Sequence, residues 1–127
     1  MKAQFGLIAV LGLLGSPSAL AGAKWATGVV VTSTYAYGTV GYARSSPDSV
    51  QRIGCKTYYV AGYGTTGECK AYNSAGQSLF CSTQNPEMIA VMRSITSISY
   101  IAFTRNSAGQ CVEVDVDNSS EYPPMQP

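Results

Sequence analysis

Residues 68–83 read Glu68-Cys69-Lys70-Ala71-Tyr72-Asn73-Ser74-Ala75-Gly76-Gln77-Ser78-Leu79-Phe80-Cys81-Ser82-Thr83. Polar turn formers stand at the centre, followed by a glycine that tolerates positive φ. That order suits a type I turn closed by a glycine bulge, the usual three-residue hairpin loop. With Ser74, Ala75 and Gly76 as the loop, Asn73 faces Gln77. Counting outward, Cys69 then faces Cys81. Opposed residues of an antiparallel pair lie close enough for a disulfide. Turn chemistry and cysteine spacing therefore agree on one register.

The chain holds four cysteines, Cys55, Cys69, Cys81 and Cys111. Three pairings are open in principle. The hairpin register favours Cys69–Cys81, which leaves Cys55 with Cys111. A four-cysteine zinc site finds no support, because no pair has the close spacing such sites use.

The N-terminus explains why disulfides are expected at all. Lys2 supplies a positive charge, Phe5–Leu14 is an apolar run, Ser16-Pro17 breaks it, and Ala19-Leu20-Ala21 offers a small-residue cleavage site. This is the pattern of a secretory signal peptide, residues 1–21, with cleavage after Ala21 or, second, after Ala23. Export places the cysteines in an oxidising compartment, extracellular or, in a two-membrane bacterium, periplasmic. No later segment is apolar enough to read as a transmembrane span. Roughly 105 residues remain, enough for one modest core that cross-links would reinforce. Residues 22–118 read as a single secreted α+β domain, and 119–127 as a flexible polar, Pro-rich tail.

Upstream of the central hairpin, Val29–Thr32 reads as a strand and Tyr37–Tyr42 as a second, less secure because of Gly38 and Gly41. Residues 44–49 form a loop around Pro47, and Gln51–Val60 reads as a strand. Ala61–Gly67 reads as a Gly-rich loop. Its Gly62, Gly64 and Gly67 match a dinucleotide-binding spacing on paper, but a strand rather than a helix follows. Downstream, Asn85-Pro86-Glu87 opens a helix with a cap, an N1 proline and an acidic first turn. Met88, Ile89, Met92 and Ile95 form its apolar stripe. Asn106–Gln110 then repeats the pentapeptide Asn73–Gln77, between a strand region 97–105 and the strand Cys111–Asp117. One shared pentapeptide fits local convergence and an old duplication alike. The fold expected is α+β: a β-rich antiparallel sheet of about five to seven strands with one α-helix packed on it, in the order hairpin–helix–hairpin.

Composition excludes much chemistry. The chain has no histidine, and its eight Lys and Arg nearly balance seven Asp and Glu. Ser-His-Asp and Cys-His catalysis and His-based metal sites are absent. Paired cysteines leave no thiol nucleophile, and no polybasic run marks a nucleic-acid or membrane footprint. The cations Lys24, Arg44, Arg52, Lys56 and Lys70 gather in the first part, and Glu113, Asp115, Asp117 and Glu121 in the last. Along one strand Glu113, Asp115 and Asp117 would stand about 7 Å apart per step, a spacing that also occurs between glycosidase carboxylates. A solvated strand face that discourages edge pairing is the better account of them. Residues 115–119 begin like a calcium loop without its glycine or distal glutamate. No cofactor or metal is expected.

Tyrosine is the one excess, with nine residues. Amid Ser, Gly and Asn they resemble a paratope composition. Tyrosine is also a good strand former with a polar tip, which accounts for much of the excess. Tyr58, Tyr59 and Tyr63, beside the Gly-rich loop, form the best cluster for binding an extracellular protein or glycan surface. The motifs Arg52-Ile53-Gly54-Cys55, the cysteine hairpin, and Ser99–Phe103 leading to Gly109-Gln110-Cys111 resemble small secreted bacterial proteins of uncharacterised function. The resemblance implies a bacterial source and export and lends no activity. The expected role is non-enzymatic, either binding or surface-structural. One alternative is a proteinaceous inhibitor of a secreted or periplasmic hydrolase, with Gly62–Gly67 as the plug. Another is a small carboxylate-dependent hydrolase.

Overall fold

The repeated pentapeptide folds twice into the same turn. Asn73 N–H donates to the Gln77 carbonyl at 3.0 Å, and Gly76 N–H to the Asn73 carbonyl at 3.0 Å. The corresponding bonds of Asn106, Gly109 and Gln110 are 3.0 and 3.1 Å. Gly76 and Gly109 take φ of 80° and 78°, the left-handed region that the bulge position requires. In each copy the asparagine Oδ1 accepts two backbone N–H groups, from Ala75 and Gln77 or from Ala108 and Gln110. The turn expected from sequence is present in both places.

The computed structural model describes residues 25–122. In chain order it contains β1 (Val30–Val31), β2 (Tyr35–Thr39), α1 (Val40–Ser45), β3 (Arg52–Val60), β4 (Gly64–Tyr72), β5 (Ser78–Thr83), α2 (Pro86–Met92), β6 (Tyr100–Arg105) and β7 (Cys111–Asp117). The expectation of a β-rich antiparallel fold with two disulfides holds, but the strands form two sheets rather than one. One has the order β1-β2-β6-β7 and the other β3-β4-β5. The sheets meet at a corner, where Ser82 N–H donates to the Gly109 carbonyl at 3.1 Å. Their inner faces share one core containing Ile53, Ala71 and Leu79 from one sheet and Ala36, Ile101 and Phe103 from the other.

Residues 1–21, expected to be a signal peptide, lie outside the described residues. At the other end, residues 118–122 are held. Asn118 Nδ2 donates to the Ser94 carbonyl at 3.0 Å, and Trp25 N–H to the Glu121 carbonyl at 2.6 Å.

Among the described residues two helices form, not one. α2 is the expected helix: Asn85 Oδ1 accepts the N–H groups of Glu87 and Met88, and Ile89 and Met92 are buried. Met92 and Ile89 lie over Gly67, where a Cβ would overlap the methionine sulphur. The short α1 replaces the second half of the strand expected at Tyr37–Tyr42. Its buried Gly41 and Ala43 are small enough for close packing, and the strand stops at Thr39, whose hydroxyl donates to the Thr27 carbonyl. The Gly-rich segment is also corrected. Gly64–Gly67 belongs to β4, so of the expected plug Gly62–Gly67 only Gly62 and Tyr63 remain in a tight turn at residues 61–63.

The disulfides pair otherwise than expected. They are Cys55–Cys69 and Cys81–Cys111, not Cys69–Cys81 and Cys55–Cys111. The register was not at fault, since Cys69 does face Cys81. It faces Cys55 as well, across β3. In antiparallel sheets hydrogen-bonded pairs are wide and the alternate pairs narrow. Asn73–Gln77 is hydrogen-bonded, so counting by twos makes Cys69–Cys81 a wide pair. Cys69 then meets Cys55 across the narrow kind, with Cα atoms 4.0 Å apart. Cys81 turns instead to Cys111 in the other sheet. A bulge supplies that partner. Arg105 pairs Cys111 while Thr104 pairs Glu113, so Val112 is extra. Cys111 therefore shares the inner face with Val114 and Val116 rather than the outer face with Glu113 and Asp115.

Candidate functional site: two outer faces of opposite character

Both sheets turn one face to the core, so each has an outer face with its own chemistry. On the four-stranded sheet the outward positions are Tyr35 and Tyr37 of β2, Tyr100, Ala102 and Thr104 of β6, and Glu113, Asp115 and Asp117 of β7. Four tyrosine rings form a file across it. Tyr35 and Tyr37 stand 6.2 Å apart and 8° from parallel, Tyr37 and Tyr100 6.2 Å apart, and Tyr100 and Tyr122 5.6 Å apart at 17°. Tyr122 is fixed there because its hydroxyl donates to Asp117 Oδ2 at 3.2 Å.

Burial raises the Tyr100 phenol above its ordinary value, and the neighbouring Tyr37 and Asp115 add to this. Burial also raises Tyr122, with the charge of Asp117 next. Asp117 moves the other way: the Ser119 hydroxyl, and then the Ser119 N–H, hold its carboxyl below the usual carboxylate range. The carboxylates of Glu113, Asp115 and Asp117 stand in file on one strand rather than facing one another across a cleft. Among the described residues no three metal-ligating side chains come together, and Lys56–Glu68 is the only ion pair. Glu113 and Asp115 thus present charge to solvent beside the rings.

The outer face of the three-stranded sheet is basic. Arg52, Gly54, Lys56 and Tyr58 of β3 lie beside Tyr72, Lys70 and Glu68 of β4, and Phe80 of β5 follows Lys70. The Arg52 guanidinium sits 4.0 Å from the Tyr72 ring centroid, and Tyr72 meets Phe80 edge-on at 5.7 Å. Glu68 is engaged twice, by Lys56 at 3.3 Å and by the Tyr58 hydroxyl at 3.0 Å.

The tyrosines singled out in the sequence divide. Tyr58 joins this basic face, half-covered and tied to Glu68. Tyr59 and Tyr63 are 70% and 79% exposed at the tip of the β3–β4 hairpin. The tip is braced by Gln84 Nε2, which donates to the Tyr63 carbonyl at 2.8 Å. The three do not share one surface. The larger assembly, Tyr35, Tyr37, Tyr100 and Tyr122, was missed. Its one local sign was Tyr35-Ala-Tyr37, two rings on one strand face, while the rest depended on β2 pairing β6.

No protein-family model, no curated protein and no solved structure matches the chain.

Proposed function

We propose that the protein is a small exported binding domain without catalytic activity, working in the extracellular space or periplasm. Its ligand lies across the tyrosine file. The observation that carries this reading is the run of four tyrosine rings beside carboxylates that have no ion-pair partner among the described residues. Tyrosine gives large contact area at low conformational cost. Aromatic faces and carboxylates together favour cations, and guanidinium most, because it stacks as well as pairs. The partner class is accordingly a protein surface that presents arginine or lysine. The two disulfides fit an oxidising compartment.

Titration with oligoarginine and oligolysine peptides tests this reading. Arginine peptides should bind more tightly. Replacing Tyr35 and Tyr37 together by Ser should weaken binding about tenfold although no charge changes. Equal affinity of the double variant and the wild type would remove the tyrosine file from the account.

A second reading, inhibition of a secreted hydrolase, is favoured by the hairpin tip alone, where Tyr59, Val60 and Tyr63 project on a braced turn. Under that reading Tyr63→Ala abolishes inhibition in a panel of secreted hydrolases, while Tyr37→Ser leaves it intact.

A further inference from the structure

Gly54 leaves a notch in the middle of the basic face. A Cβ built there meets nothing within 4 Å, so the glycine is not required by packing. The notch opens into a groove of about 300 Å³ whose wall includes Lys56, Lys70 and Phe80. Arg52 and Lys56 flank Gly54 on the same strand, and Lys70 stands directly opposite it. Phe80, 47% exposed, is the next residue along that row. The one carboxylate present, Glu68, is already held by Lys56 and Tyr58. Arg52 and Lys70 have no ion-pair partner among the described residues.

We infer that this groove is a second binding site and that it takes an acidic polysaccharide. The apolar C–H face of a pyranose packs on the Phe80 ring. Its carboxylate or sulfate lies between Lys56 and Lys70, which line the groove, with Arg52 beside it on the same face, and forms charge-assisted hydrogen bonds there. A membrane surface is the poorer match, since basic segments that hold anionic lipid use clusters of about four to eight cations. Single-stranded nucleic acid calls for a series of free stacking rings along a basic groove. Here the Tyr58 hydroxyl is tied to Glu68 and Arg52 covers the Tyr72 ring, which leaves Phe80 open for stacking. The inference does not rest on the tyrosine file. If both hold, the protein joins a basic protein on one side to an acidic glycan on the other.

Calorimetric titration of the disulfide-intact protein with polygalacturonate and dextran sulfate tests it. Neutral dextran and an oligo-dT strand serve as comparisons. Binding to at least one acidic glycan, weakening as salt rises, is expected. Lys56→Gln with Lys70→Gln should reduce affinity about tenfold. Gly54→Val fills the notch without changing charge, in a place open enough to accept it, and should reduce affinity about threefold. Tyr35→Ser with Tyr37→Ser should leave glycan affinity unchanged. Binding no stronger than to neutral dextran would overturn the proposal. So would full affinity in Gly54→Val, which would mean charge without a built site, or tighter binding of oligo-dT.

Discussion

Asn73 and Asn106 each organise a turn through one side-chain oxygen that accepts two backbone N–H groups, while the amide nitrogen donates to Gln77 or Gln110. Removing either side chain leaves those donors to water, so Asn73→Ala and Asn106→Ala should each lower stability by about 1 kcal/mol. The two urea midpoints should fall by similar amounts. A silent substitution at one site only would break the equivalence of the turns. Gly67 is a different case. It is buried under α2, and a methyl there would overlap Met92. Gly67→Ala should therefore cost about 1–3 kcal/mol, whereas Gly54→Ala on the open face should cost little. Equal unfolding curves for the two variants would contradict the packing of α2 on β4. At this scale the sequence was readable where the cause is local. Asn-Ser-Ala-Gly-Gln determines its own turn, and Asn85-Pro86 its own helix start. The purpose of Gly67 was not readable, because it depends on a helix some twenty residues further on.

Among elements, the hairpins followed from turn chemistry, but cysteine pairing needed a further step. The register puts Cys69 opposite cysteines on both sides, and the choice lies in the alternation of wide and narrow pairs. The bulge that turns Cys111 inward has no glycine or proline to announce it. Cys55–Cys69 closes 14 residues within one sheet and Cys81–Cys111 closes 30 between sheets. Chain entropy assigns them about 3 and about 3.7 kcal/mol. Replacing Cys81 and Cys111 by Ala should therefore be the more damaging change, since it also unties the sheets. A lower unfolding midpoint for the Cys55/Cys69 replacement would reverse that ranking. The 117–122 segment adds a pH response. The Asp117 carboxyl is held low, so its contribution is present above about pH 4 and lost as pH falls through the lowered value. Tyr100 and Tyr122 are raised, so theirs is present below about pH 10 and lost as pH climbs through the raised values. Near-UV circular dichroism should report loosening of the tyrosine file at both extremes. Asp117→Asn should abolish the acid arm and weaken the alkaline one at Tyr122, whose phenol that carboxylate helps to raise, while the Tyr100 part stays. An unaltered acid arm would assign it elsewhere.

The molecule as a whole separates its charges. The cations of β3 and β4 and the carboxylates of β7 lie on the outer faces of different sheets, both turned away from one core. The uneven distribution of charge along the sequence anticipated this separation, because the two sheets draw largely on different parts of the chain. It did not indicate the tyrosine face, which is assembled from β2, β6 and the segment after β7. The measurement that tests that face most directly is chemical-shift mapping of the isotope-labelled protein during titration with an oligoarginine peptide. Perturbations are expected at Tyr35, Tyr37, Tyr100, Glu113, Asp115 and Tyr122, with the hairpin tip at Tyr59 and Tyr63 unmoved. Shifts confined to the tip, or spread over every acidic residue without regard to the tyrosines, would contradict that face as the binding site.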